Sequence, residues 1–117
     1  MNLVTLHGRV ARDPEVKTMA NGQTLARLSI AVDKYAKAGE ERKADFINCT
    51  AFGQTAQFLA KYFVKGKEIL AEGHISTSNY TGQDGKKHYS QDVVLDRVEF
   101  CGSKGGETKR DEEEIQF

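Results

Sequence analysis

A chain of 117 residues, 38% hydrophobic and 29% charged, is long enough for one domain with its own core and too short for two. No apolar run approaches the roughly 20 residues of a membrane-spanning helix. The opening Met1-Asn2-Leu3-Val4-Thr5-Leu6 enters strand-like alternation with neither a basic segment nor a signal-peptide apolar stretch, so a cytoplasmic protein with no membrane partner is expected. Seventeen basic and seventeen acidic residues cancel, but unevenly: residues 107–117 hold five acids against two bases, leaving 15 bases against 12 acids elsewhere. A mildly basic body with an acidic tail does not exclude a polyanionic partner.

Val4, Leu6 and Val10 alternate within a first strand over residues 2–12, with Gly8 at an inward position where a bulge or the sharp bend of a small barrel is expected. Asp13-Pro14 ends that strand, and Asn21-Gly22 is a strong turn signal. Over Thr24–Asp33 the apolar face is Ala26, Leu28, Ile30 and Val32, with Arg27 and Ser29 opposite. A polar loop over residues 35–43 follows. The third strand, residues 44–53, divides into Ile47, Cys49 and Ala51 on an inward face and Phe46, Asn48, Thr50 and Phe52 on an outward one. Residues 54–63 take a helical period, with Ala56, Leu59, Ala60 and Phe63 on one face, Thr55 as N-cap and Gly66 as the stop.

Period two returns over residues 67–76, with Ile69, Ala71, Gly73 and Ile75 inward. Residues 82–85 read as the turn of an extended hairpin whose tip carries Tyr80, Tyr89, Lys86 and Lys87. The last strand, residues 91–100, contains Val93-Val94-Leu95, which leaves its two faces unassigned. Strand, strand, strand, short helix, strand, strand is the order of an OB-fold, an all-β five-stranded Greek-key barrel. An SH3-like barrel or a generic α+β sheet does not predict a helix at this place. The expected organisation is a domain over residues 1–101, then a flexible linker from Gly102 and a disordered acidic tail ending at Phe117.

Catalytic patterns are missing: no serine lies in a nucleophile-elbow setting, no cysteine has a histidine at a recognisable spacing, and no phosphate-binding loop appears. His7, His74 and His88 read as scattered, Cys49 and Cys101 have no ligand-like spacing, and no cofactor, metal or disulfide is expected. The ten aromatic residues say more. Phe58, Tyr62, Phe63 and Phe100 suit core packing on the helix and last strand. Tyr35, Phe46, Phe52 and Tyr80 occupy loops or an outward face among Lys34, Lys37, Arg42, Lys43, Lys86 and Lys87. Single-stranded nucleic acid asks for this combination, because aromatic faces stack on any base while cations neutralise phosphates. The pattern alone leaves a second reading open, in which Phe46 and Phe52 pack beneath the hairpin or against a neighbouring subunit. Other functional classes consistent with the chain are an RNA-binding or primosomal OB protein, an assembly adaptor, and an enzyme subunit dependent on a partner.

The chain resembles the bacterial single-stranded DNA-binding protein family (SSB). The resemblance rests on Asn2, Val4, Leu6 and Gly8, on Asp13-Pro14-Glu15, Asn21-Gly22 and Ala44-Asp45-Phe46-Ile47-Asn48-Cys49, and on Phe52-Gly53, Lys65-Gly66, Glu72-Gly73, Asn79-Tyr80 and the acidic tail. It implies OB-folds assembled as homotetramers that wrap single-stranded DNA, a nucleoid-associated location in the cytoplasm, and base stacking at Tyr35, Phe46, Phe52 and Tyr80. The family often has Trp at some of these positions, and several of its basic strand positions are polar here, such as Asn48 and Ser76. Lys65, Lys86 and Lys87 are the leading candidates for phosphate contacts. The resemblance also implies that Asp111, Glu112, Glu113, Glu114, Ile115 and Phe117 recruit replication, recombination and repair proteins. Gln116 stands where the family commonly has Pro, and the usual long linker is almost absent.

Overall fold

The computed structural model describes residues 1–101. They form β1 (Val4–Val10), β2 (Glu15–Thr18), β3 (Thr24–Asp33), β4 (Ala44–Phe52), α1 (Gly53–Tyr62), β5 (Glu68–Thr81) and β6 (Lys87–Phe100). Five strands close a ring. β1 pairs antiparallel with β3 and β5, β3 with β4 and β5 with β6, and the ring is completed by a short parallel pairing of β4 with β6. With the helix between the third and fourth ring strands, this is the expected OB-fold. The unanticipated strand is β2, which pairs only with β3 and exposes all four of its residues. The Asn21-Gly22 turn joins them: the Met19 N–H donates to the Gln23 carbonyl at 2.8 Å, and Gly22 takes a φ of 86° that favours glycine.

The core is what the alternation anticipates. Ala26, Leu28 and Ile30 of β3, Cys49 and Ala51 of β4, and Ile69 and Ala71 of β5 are buried inside the ring. β6 resolves its ambiguous run by burying Val93 and Leu95 and leaving Val94 half-buried. α1 packs against β3, β4 and β6, delivering Ala56, Leu59 and the C-cap residue Phe63. Phe63 stacks on Phe100 at 5.0 Å between ring centroids, and Phe58 meets both rings and Tyr62 edge-on or tilted. Burying a phenylalanine of this kind contributes about 1.5–3 kcal/mol.

Five local expectations need correction. The β1–β5 ladder runs unbroken through Gly8, so no bulge lies there. Gly8 is required because a Cβ would strike the Ala31 carbonyl where β3 crosses to close the ring. The irregularity falls at Glu72/Gly73, and a Cβ on Gly73 would strike the Val94 carbonyl. The helix begins at Gly53 with Phe52 as N-cap, so Thr55 lies within the first turn. It ends before Phe63, and Gly66 serves the following turn, where its N–H reaches the Val10 carbonyl at 2.7 Å. Ala60 is exposed, and so is Ile75, because from that residue the β5–β6 hairpin rises off the barrel.

Candidate nucleic-acid interface

The outer face of β4 is set by its register with β3. Phe46 stands opposite Ala31, Asn48 opposite Ser29, Thr50 opposite Arg27 and Phe52 opposite Leu25. Short neighbours leave the first ring uncovered, and Phe46 is 67% exposed against 39% for Phe52. Thr50 shares this face but is buried, because its hydroxyl donates to the Asp92 carboxylate of β6. The outward expectation for Thr50 therefore fails through a contact made by the hairpin base.

The hairpin supplies the opposing wall. Its register places Tyr80 beside His88, Ser78 beside Ser90 and Ser76 beside Asp92 on one face, with Asn79 beside Tyr89 and Thr77 beside Gln91 on the other. The first face overlooks β4. Between them runs an open groove of about 630 Å³, lined among others by Arg12, Arg27, Phe52, Ser76, Ser78 and Ser90. A second hollow of about 360 Å³ is lined by Phe46, Ile47, Val4, Leu6 and Ile75 and shares Asn48, Gln91 and Asp92 with the groove. The two hollows differ in character: serines and arginines mark the first, aliphatic side chains the second.

Burial, and then the nearby Asp92 charge, push the Cys49 thiol up to about 12. It stays protonated and serves as a core hydrophobe, not as a nucleophile. At the hairpin tip, the Tyr80 ring stacks on His88 at 5.1 Å and 18°. His88 Nε2 lies 3.3 Å from Asp84 Oδ1, which also accepts the Lys86 backbone N–H at 3.0 Å. Those bonds, Lys86 first, hold the Asp84 carboxyl below its ordinary value.

The residues anticipated for DNA are thus not all together. Phe52 lines the groove, Tyr80 lies on the hairpin face that overlooks it, and Phe46 lines the adjoining hollow. Tyr35 is 90% exposed in the loop after β3 and borders neither. Lys65 is exposed in the turn after α1, its backbone N–H bonded to Asp13, and it borders neither as well. Lys86 and Lys87 are exposed at the tip, with Lys87 opposite Thr81 on the face away from Tyr80. Asp111, Glu112, Glu113, Glu114, Ile115 and Phe117 lie outside the described residues.

Arg12, Arg27 and His88 are the groups that sequence reasoning passed over. Arg27 already read as outward on its strand, and pairing that strand with β4 would have set it beside Thr50. His88 was missed because the connection runs over residues 82–86: counting equal steps from a turn at 82–85 sets Lys87 opposite Tyr80, whereas the ladder pairs Tyr80 with His88. The scattered reading of the histidines also needs correction. His7 comes together with Glu68 and Cys101, with Nε2 of His7 2.6 Å from Oε2 of Glu68.

Residues 1–101 match the family model described as the single-strand binding protein family. The chain belongs to that family. Among similar proteins, the single-stranded DNA-binding protein of Fusobacterium nucleatum is 46% identical over 107 residues, covering 89% of this chain and 69% of that protein. The single-stranded DNA-binding protein of Clostridium perfringens is 41% identical, covering 91% and 69% respectively. That of Oceanobacillus iheyensis is 40% identical over 112 residues, covering 95% and 70%.

Proposed function

We propose that this protein is a non-catalytic binder of single-stranded DNA with little sequence preference. The observation that carries the proposal is the exposed outer face of β4, where Phe52 floors a groove lined by Arg12 and Arg27 and overlooked by the Tyr80 face of the hairpin. Bases stack on the aromatic faces, each contributing about 1–3 kcal/mol, while the arginines meet phosphates. An unpaired strand would run between β4 and the hairpin, along the residues that line this groove. A ligand that binds only the open strand pulls base pairing apart by mass action, so the protein protects single strands and removes hairpins. Phosphate contacts make affinity fall with salt, with a shallow slope because few cations line the groove.

Self-association, to a tetramer by family resemblance, is part of the proposal. Its support is the hollow in which Phe46 meets Val4, Leu6, Ile47 and Ile75, an apolar surface that favours burial against a second copy. A second reading of Phe46 follows from the same surroundings: its ring serves a subunit contact and not a base. The acidic stretch with Ile115-Gln116-Phe117 would present an apolar, acid-flanked segment to replication, recombination and repair proteins with a basic-rimmed pocket.

The test is anisotropy of labelled oligo-dT, with native mass, on the full chain and on Phe46→Ala and Phe52→Ala variants that remain folded. Phe52→Ala is expected to weaken binding by about tenfold or more. Phe46→Ala either weakens binding alike or shifts the oligomer, which separates its two readings. Unchanged affinity in both variants defeats the stacking proposal. Oligo-rU of equal length separates a DNA binder from an RNA binder. A chain ending at Gly106 tests the tail: tighter DNA binding shows that the acids compete with phosphate.

A further inference from the structure

We propose that His7, Glu68 and Cys101 form a binding site for a divalent cation of borderline softness, Zn²⁺ or Co²⁺, on the barrel exterior and apart from the DNA groove. Three strands deliver the donors. The β1–β5 ladder pairs Arg9 with Glu68, so His7, two residues along the same face of β1, also reaches that carboxylate. The β5–β6 ladder pairs Ile69 with Phe100, so Cys101, next along, falls beside Glu68. One donor atom from each residue lies within 4.8 Å of the other two. His7 Nε2 is 2.6 Å, and Cys101 Sγ 3.9 Å, from the same oxygen, Oε2 of Glu68.

Those separations lie close to what a metal needs. A tetrahedral zinc ion with ordinary bond lengths holds its N and O ligands about 3.3 Å apart and its S and O ligands about 3.6 Å apart. The first pair must open and the second close slightly, movements within reach of side-chain rotation. His7 is exposed and Cys101 half-exposed, so an ion can enter from solvent. A supporting contact is in place as well. Arg9 Nη1 donates to the Gly66 carbonyl at 3.1 Å, and its Nη2 lies 3.4 Å from Oε1 of Glu68. That guanidinium holds one carboxylate oxygen and leaves the other turned to His7 and Cys101, as outer partners of metal ligands commonly do.

The donor types decide the cation. One imidazole nitrogen, one carboxylate oxygen and one sulfur suit zinc or cobalt, whereas magnesium and calcium require oxygen throughout. The Glu68 carboxylate and the Cys101 thiolate neutralise a divalent charge, and the thiol proton leaves to solvent on binding. Three protein ligands leave a fourth position for water. The bound ion would clip β1, β5 and the end of β6 together and fix the last described residue of the barrel.

The test uses the full, reduced chain titrated with Co²⁺, reading the thiolate-to-cobalt charge-transfer absorption, followed by displacement with Zn²⁺. The expected result is saturation at one Co²⁺ per chain, loss of the band in Cys101→Ser, and affinity weaker by about tenfold or more in His7→Gln. Zn²⁺ should raise the thermal transition of the unaltered chain and leave that of Cys101→Ser unmoved. The three groups are at the surface, so both variants should fold, which circular dichroism checks. No saturable band, a band that survives Cys101→Ser, or cobalt uptake lacking any thiolate band overturns the proposal.

Discussion

The molecule carries two sets of four aromatic residues that the same chemistry puts to opposite uses. Phe58, Tyr62, Phe63 and Phe100 touch one another, with centroids 5.0–5.9 Å apart, and lock α1 onto the end of β6. Tyr35, Phe46, Phe52 and Tyr80 touch none of their own set among the described residues, and every one is exposed. A ring satisfied by other rings stabilises the fold; a ring left facing water keeps its free energy of burial for a ligand. The difference lies in the neighbours. Phe63 finds Phe100 across a helix–strand contact, whereas Phe46 finds only Ala31 across its strand pair.

The comparison is broken most directly at Phe63. Truncating it to alanine removes a fully buried ring and opens a cavity, with an expected loss of about 3–5 kcal/mol in urea unfolding at fixed protein concentration. The Phe52→Ala variant should lose under about 1 kcal/mol by the same measurement, since its ring is already partly in water. Comparable losses in the two would mean that Phe52 is a core residue, and the distinction would fall.

Tyr80→Ala comes next. One face of this ring is covered by His88, so only the other can take a base, and the cost in oligo-dT affinity should lie near the lower end of about 1–3 kcal/mol. His88→Ala should cost less, by leaving Tyr80 free to rotate. A larger loss for His88 than for Tyr80 would assign the base contact to the histidine.

Much of this arrangement was legible before any coordinates. The core face of β3 is readable because Ala26, Leu28 and Ile30 alternate with the polar Arg27 and Ser29; Arg27 is exposed as its polarity suggests, whereas Ser29, read as outward, is buried. β2 was invisible for the converse reason: with Glu15, Val16, Lys17 and Thr18 all in water, no burial pattern exists to read. Ile75 misled because its alternation continues past the point where the hairpin leaves the barrel. Phe46 and Phe52 stood out as outward rings from β4 alone. Their groove did not, since Arg27 and Ser90 meet there only through two strand pairings distant in sequence. His7, Glu68 and Cys101 converge in the same long-range way, so their spacing carried no signal.

Arg27 offers a subtler comparison between stacking and charge. It lines the groove with Phe52 but carries a formal charge where the ring carries none. Arg27→Gln should lower affinity at low salt and reduce the slope of log affinity against log salt by about 1. Phe52→Ala should lower affinity at every salt concentration and leave the slope alone. Parallel shifts in both variants would show that Arg27 acts by shape or stacking and not through a phosphate.

The smallest effect concerns the hairpin tip that carries Tyr80. Asp84 accepts the Lys86 backbone N–H and lies against His88, and these contacts hold its carboxyl below the ordinary value. A carboxyl that ionises at lower pH in the folded chain stabilises the fold in full above its unfolded value, and the contribution fades as pH falls through the folded one. The tip is exposed, so global unfolding should hardly register the change, but local opening should. Amide exchange at Lys86, corrected for the intrinsic pH dependence of exchange, should quicken as pH drops through the acid side of the carboxylate range. Asp84→Asn keeps an oxygen acceptor for that N–H while removing the titration, so its corrected exchange should be flat over the same interval. If the variant showed the same rise, the acid sensitivity would belong elsewhere on the hairpin, and Tyr80 would owe its orientation to His88 without help from Asp84.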